Sequence, residues 1–196
     1  MPSPSSSPKD LRIHLFGHAG ADPAGVAHSL GAIANPPLKD ERDLAIFAIN
    51  PSHGIDQLSI SQWEALSESM VPRLIVVTGI EGNEADFDDA VMLANRVFDQ
   101  CVTPYLVLHD ESGAPCALIS LKDLMITDYT TQPPTISEGS DEHKILVSEF
   151  QIEYLAAMEI AGDDGFAAGV LFPAIPIWLE KGIGLDIVKK YIDQLN

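Results

Sequence analysis

Residues 12–30, RIHLFGHAGADPAGVAHSL, bring an apolar run to a glycine-bearing turn (Gly17, His18, Gly20, Ala21) and then to a run of small residues. A phosphate cradle has this layout. Successive backbone N–H groups converge at a helix N-terminus, where the peptide dipole favours an anion. A working loop of this kind ends in a lysine that neutralises the β- and γ-phosphates and a hydroxyl that ligates Mg²⁺. Here those positions hold Asp22, Pro23 and Ala24. Asp22 puts a negative charge where phosphate would sit, Pro23 removes a donor and offers no cation, and Ala24 has no oxygen for a metal. Asp22 followed by Pro23 reads instead as a helix N-cap with proline at the first helical position. The residues therefore predict an ordinary helix start in preference to a phosphate site.

The other chemistry-bearing residues form no recognisable pattern. His14 and His18 are four apart but straddle a strand and a turn, so no zinc site is expected, and no metal or other cofactor is assigned. Cys101 and Cys116 lack CxxC spacing and read as reduced core residues of a cytoplasmic protein. His18, Asp22, His53, Glu81 and His109, with Asp110 and Glu111 close by, are candidates for acid–base or small-ligand chemistry in a crevice at the strand ends. No spacing links them, and the favoured reading is that they are solvated loop residues. No catalytic residue is assigned.

The elements that must position these residues alternate. Strands are expected over residues 11–16, 43–49, 72–78, 103–108 and 170–175, and helices over 24–34, 59–70, 86–98, 142–160 and 184–195. Residues 117–129 read as a strand with a small excursion and 130–141 as a polar loop. The helix over 142–160 is expected to bury Ile145, Leu146, Phe150, Tyr154 and Met158. The alternation predicts an α/β fold with a mostly parallel sheet covered on both faces. Residues 1–10, with three prolines and four serines, read as a disordered leader, and 11–196 as one domain. With 11 Lys+Arg against 29 Asp+Glu, the net charge is −18, a field that argues against general nucleic-acid binding. No apolar run approaches 18 residues, so no membrane span is expected.

Gly17, His18, Gly20 and Ala21 fit the G-H-x-x-x-G-K-[ST] segment of translational GTPases, and the chain resembles the GTPase domain of elongation factor G over nearly its whole length. Residues 44–57 are similar to L-V-V-D-A-x-x-G-V-x-x-Q, with Asn50, Gly54 and Gln57 in register and Trp63 in the helix that follows. Ala85-Asp86-Phe87 matches the family's A-D-F. That anchor places the guanine-specificity motif N-K-x-D on Thr78, Gly79, Ile80 and Glu81, of which only Glu81 keeps acidic character. Residues 117–141 look like the start of the insert typical of elongation factor G. Residues 181–185 are similar to the K-N-x-G-V segment, and the guanine-holding S-A pair falls at Pro176 and Ile177, where it is missing.

The resemblance implies a three-layer P-loop-GTPase-like sheet from which the switch hairpin has been deleted. Only residues 29–42 separate the first helix from the next strand, too few for two switches and a hairpin of strands of about five residues each. The switches sense the γ-phosphate and position water, and the Asp of N-K-x-D pairs with guanine. Their joint loss implies a pseudo-GTPase without hydrolysis, acting as an interaction or regulatory module in a translational setting. The alternatives are weak guanine-nucleotide binding or reuse of the crevice for a small ligand. Deleting the hairpin also exposes the first strand as an edge. A second copy of the chain, the leader, or residues 35–40 are expected to cover it, with Arg12 and His14 as partial blunting groups. A homodimer through that edge and an unidentified protein partner are the partner expectations.

Overall fold

The computed structural model describes residues 10–82 and 86–196. The expected leader (all but Asp10) and Ala85 of the A-D-F anchor lie outside the described residues. The elements follow in the order β1 (Ile13–Gly17), α1 (Pro23–Leu30), β2 (Ile33–Ala34), β3 (Leu44–Ile49), α2 (Gln57–Ser67), β4 (Arg73–Val77), α3 (Phe87–Val97) and β5 (Cys101–Val102). The chain continues with β6 (Tyr105–His109), β7 (Pro115–Ser120), β8 (Met125–Asp128), β9 (Thr135–Glu138), α4 (Asp141–Leu146) and α5 (Ser148–Ala161). The chain closes with β10 (Phe172–Pro176) and α6 (Leu185–Asp193).

The main sheet is parallel, in the order β2-β1-β3-β4-β10-β5. Every residue of β3, β4 and β10 is buried. Successive side chains of a strand point to opposite faces, so both faces are covered, as a continuous apolar run such as LAIFAI requires. Registers Leu15↔Ile46, Phe47↔Ile75 and Ile175↔Val76 bring the C-terminal ends of β1, β3, β4 and β10 together. The helices that return the chain are started by side chains. Asp56 accepts from the Ser59 amide ahead of α2, and Asp86 and Asp89 form a reciprocal capping box on α3.

Trp63 is fully buried, with its ring stacked on Phe98 at 4.4 Å and edge-on to Phe47 at 5.0 Å and Phe172 at 5.3 Å. The Arg73 guanidinium lies between the Trp63 and Phe172 rings, 4.4 and 4.3 Å from their centroids. Its charge is met by Asp99 at 3.3 Å, which also accepts the Trp63 indole N–H at 2.9 Å. Burying a charge is costly unless it is paired, and here two ring faces and one carboxylate share that task.

The edge left beside β1 is closed within the chain. β2 pairs with β1 in parallel (His14↔Ile33, Leu15↔Ala34). The Asn35 amide then donates to the Leu15 carbonyl, while the Asn35 side chain accepts from the Gly17 N–H at 3.0 Å and donates to the Gly17 carbonyl at 3.1 Å. Farther back along β1, Arg12 pairs with Asp43 and Glu41, and Arg42 donates to His14 Nδ1 at 3.1 Å. Of the three covers expected for this edge, the segment around residue 35 supplies the one observed, beginning two residues earlier than anticipated.

The segment from 103 to 161 departs from expectation. Residues 103–108 do contain a strand, but it does not join the parallel sheet. The parallel sheet ends in the two-residue β5, and β6 turns away to open a separate antiparallel sheet, β6-β7-β8-β9. The polar stretch 130–141 contains β9, whose four residues are all exposed, so a strand without a buried face was invisible to periodicity. The helix over 142–160 is two helices meeting at Val147. Val147 and Tyr154 are buried and Met158 partly so, whereas Ile145, Leu146 and Phe150 are exposed. Both cysteines are free thiols, and burial pushes that of Cys101 up to about 12. No helix among the described residues is long and apolar enough to cross a membrane.

Candidate functional site

The loop between β1 and α1 lies at the C-terminal edge of the sheet, where open α/β sheets hold their ligands. Its geometry follows from its sequence. His18 accepts the Gly20 amide on its own Nδ1 at 3.1 Å, and residues Ala19–Ala21 wind into one 3₁₀ turn. That turn places the Ala21 amide on the His18 carbonyl at 2.9 Å and the Asp22 amide on the Ala19 carbonyl at 3.1 Å. Asp22 then takes a left-handed conformation (φ 49°), tolerated by Asp better than by most residues. From there its carboxylate accepts the Gly25 amide at 3.1 Å, with Pro23 at the first helical position. The N-cap reading of Asp22-Pro23 is the observed one.

Counting donors decides what this loop can do. The Gly17 amide is held by Asn35, those of Gly20 and Ala21 by His18, that of Asp22 by Ala19, and that of Gly25 by the Asp22 carboxylate. Pro23 has none. Five of the amides that an anion would need are already spent, and the oxygen at the helix N-terminus is a carboxylate of the chain itself. The floor is also tight. A Cβ on Gly20 would sit 2.5 Å from His53 Cγ, and one on Gly17 would lie 2.7 Å from the Ala48 carbonyl oxygen.

Across from the loop, Asn50 donates to the Gly20 carbonyl at 3.0 Å and accepts the Ser52 amide at 3.0 Å. The Thr78 hydroxyl donates to the carbonyls of Ala21 at 3.0 Å and Ile49 at 3.3 Å. These bonds tie the first loop to the ends of β3 and β4. Gly79, at φ +72°, passes so close to Asn50 that a Cβ there would approach its Nδ2 to 2.4 Å.

A crevice of about 220 Å³ remains, lined by Gly20, Asp22, Asn50, Thr78, Gly79 and Glu81 on one side and by residues 177–180 on the other. The fold thus brings together Gly20, Asp22, Thr78, Gly79, Glu81 and Ile177 from the two sets singled out in the sequence. Gly17, His18, Ala21, Pro23, Ala24 and Pro176 support the crevice without lining it. Pockets for drug-sized ligands run from about 300 to 1,000 Å³, and this one falls below that range. Its charged lining residues are Asp22, Glu81 and Glu180, all acidic. The nearby Lys181 ammonium lies over the Trp178 ring, 4.4 Å from its centroid.

Asn50, Trp178 and Glu180 were not foreseen as lining residues. Asn50 stood in register with the family segment, but that its amide bridges to Gly20 depends on contacts 30 residues apart. His109, Asp110 and Glu111 are not part of the crevice lining. His109 lines a separate pocket with Asp88 and Phe150, and the Asp110 carboxylate is occupied by the Ser112 amide and hydroxyl and the Ala114 amide. Those bonds hold the Asp110 pKa below the usual carboxylate range. No group of three or more metal-ligating side chains occurs among the described residues.

No protein-family model matches the chain. The chain is 25% identical over 166 residues to an elongation factor G-like protein of Mycobacterium tuberculosis, found in strain CDC 1551 / Oshkosh and in strain ATCC 25618 / H37Rv. The match covers 72% of this chain and 22% of those proteins, so the chain spans about a fifth of the length of the curated relatives it matches. In fold it is similar to a crystal structure from Thermus thermophilus, with a TM-score of 0.78 at 15% identity over 94% of this chain and 40% of that one. The similarity to elongation factor G-like proteins anticipated from the loop is therefore present in the sequence, and the α/β architecture is shared with a solved structure.

Proposed function

We propose that this chain is a pseudo-GTPase: a relative of elongation factor G-like proteins that has exchanged nucleotide chemistry for internal bonding and serves as an interaction or regulatory module. One observation carries the reading. Five amides of the loop, those of Gly17, Gly20, Ala21, Asp22 and Gly25, are spent on Asn35, His18, Ala19 and the Asp22 carboxylate. Binding GTP here means breaking those bonds and setting phosphate against Asp22 without a lysine or a metal-ligating hydroxyl. These bonds are exposed and worth about 0.5–1.5 kcal/mol each, and no cation on the loop offsets their loss or the repulsion from Asp22.

The base side fails in the same way. Guanine recognition requires a paired carboxylate contact, and Glu81 stands there without the Asn and Lys that precede the Asp in N-K-x-D. Hydrolysis further requires switch segments, and residues 31–43 are occupied in closing the β1 edge. A cytoplasmic setting, a protein partner and a link to translation extend the reading from the similarity.

Titration with GTP, GDP and ATP, with and without Mg²⁺, followed by calorimetry and thermal unfolding, tests it. No heat and no stabilisation up to millimolar nucleotide is the expected outcome. A ligand at 100 times its Kd stabilises by about 2.7 kcal/mol, and a guanine-specific shift of that order overturns the proposal.

A further inference from the structure

A narrow groove of about 220 Å³ runs beside β6, and it shares no lining residue with the nucleotide-like crevice. Four consecutive residues of β6, from Leu106 to His109, form its floor. One wall is the start of α3, with Asp86, Phe87 and Asp88, and the other is the α4–α5 junction, with Leu146 and Phe150. The volume is below that of a drug-sized site, so what the groove takes is part of something longer.

Among the described residues, β6 is the outermost strand of the antiparallel sheet and has no strand on its other side. The Leu121 amide donates to the Pro104 carbonyl at 2.9 Å, and bonded pairs in an antiparallel ladder alternate with unbonded ones. Leu106 and Leu108 therefore bond to β7, opposite Ile119 and Ala117, whereas the N–H and C=O of Val107 turn outward to the groove. Neither of those two groups makes a hydrogen bond with any described residue. An unpaired strand edge is a template for another strand. One residue of an extended chain matches both groups at once, while a helix has its own N–H and C=O bonded internally and offers neither.

Side chains alternate across a strand, so the two walls receive different residues. Leu106 and Leu108 pack with the cluster that holds Val147 and Tyr154, and next to them Leu146 and Phe150 are 70% and 44% exposed. Val107 packs with the main core, on the side of Phe87 and its neighbours Asp86 and Asp88. Partial desolvation and the Asp86 and Asp89 carboxylates raise the Asp88 pKa, and His109 opposes the rise. No ion pair reaches Asp86, Asp88 or Asp89 among the described residues. One wall is thus apolar and open and the other anionic and uncompensated. A second copy of this chain, at a net charge of −18, would bring like charge to that wall. We propose that the β6 edge docks an extended segment of a partner protein, which adds to the sheet as a fifth strand, sets alternate apolar residues on Leu106, Leu108, Leu146 and Phe150, and turns the intervening lysines or arginines toward Asp86 and Asp88. Main-chain bonds to Val107 supply affinity and the two walls supply specificity. The groove lies outside the crevice, so this docking stands whether or not the crevice binds nucleotide.

The blocked peptide acetyl-KVKVKVK-amide serves as the probe, with acetyl-EVEVEVE-amide as its charge-reversed counterpart and two further versions N-methylated on either the lysines or the valines. Each is titrated into the full chain and followed by amide chemical shifts and hydrogen exchange. The lysine peptide is expected to slow exchange of the Val107 amide and to bind about tenfold or more tightly than the glutamate peptide. N-methylation of one alternating set should abolish binding and of the other leave it, because only one set faces β6. Asp88 and Leu146 are exposed, so their replacement leaves the core intact. Asp88→Asn should weaken the lysine peptide about threefold, and Leu146→Ser about fivefold. Four results would each overturn the proposal: no protection of Val107 at millimolar peptide, equal binding of the lysine and glutamate peptides, tolerance of N-methylation in both sets, or a dimer in which the Val107 amide is protected without any peptide.

Discussion

Replacing Asp22 with alanine removes two supports of α1 at once. The carboxylate that accepts the Gly25 amide at 3.1 Å is lost, which at an N-cap costs about 1 kcal/mol. The backbone must also keep φ near 49° with a side chain that cannot bond locally, which costs about 1 kcal/mol more. The sum is about 2 kcal/mol. For a chain of this size about 2–4 °C is lost per kcal/mol, so Asp22→Ala should melt about 4–8 °C below the parent in scanning calorimetry. Asp22→Asn keeps both the acceptor and the left-handed tolerance and forfeits only the charge–dipole contribution, about 0.3–1 kcal/mol. It should melt within about 4 °C of the parent. Asp22→Asn also takes the negative charge from the crevice while the loop amides stay bonded to Asn35, His18 and Ala19, so it should still fail to bind GTP. Alanine and asparagine variants of equal stability would refute the capping account. GTP binding by Asp22→Asn would show that charge alone, and not donor occupancy, closes the site.

Two further outcomes follow from the fold. His14 is buried and accepts from Arg42, and burial together with that guanidinium charge lowers its pKa below the ordinary 6.5. The unfolded chain therefore binds more protons than the native one just below pH 6.5, and stability rises with pH there. The contribution of His14 is fully present above pH 6.5 and is lost as pH falls toward the lowered value, so the urea midpoint should drop between pH 7 and 5.5 and drop less in His14→Gln. Gly184 sits at φ +78° with an added Cβ only 2.0 Å from the Pro176 carbonyl oxygen. Gly184→Ala should cost about 3 kcal/mol, from left-handed strain of about 1–2 and overpacking of about 1–3, read as a fall in the urea midpoint at unchanged slope.

What could be read from residue order divides along physical lines. Asp22-Pro23 was legible because a cap and its first-turn proline are local, and β3 and β4 because a continuous apolar run has one stable placement. The short connection from the first helix to the next central strand was legible as a shortage of chain between residues 29 and 42. The bonding inside the crevice was not: Thr78 to Ala21 and Asn50 to Gly20 join residues 57 and 30 positions apart, and neither carries a local signal. The burial expected for the helix over 142–160 failed for a different reason. Ile145, Leu146 and Phe150 are apolar, yet periodicity reports which residues want partners and not whether a partner surface exists. Conversely, β9 buries neither face and is a strand only because β8 offers it a ladder.

Asn35 has a consequence for how this molecule behaves in a crowd. Its side-chain amide supplies one donor and one acceptor to Gly17, as the next residue of a neighbouring strand would. It occupies one rung of the ladder with no backbone behind it to carry the pattern onward. A peptide that tried to extend the sheet along β1 would have to expel both bonds before forming its first. The amide therefore acts as a chain terminator for β-sheet growth: a single short side chain that caps the flank of β1 against templating by other polypeptides.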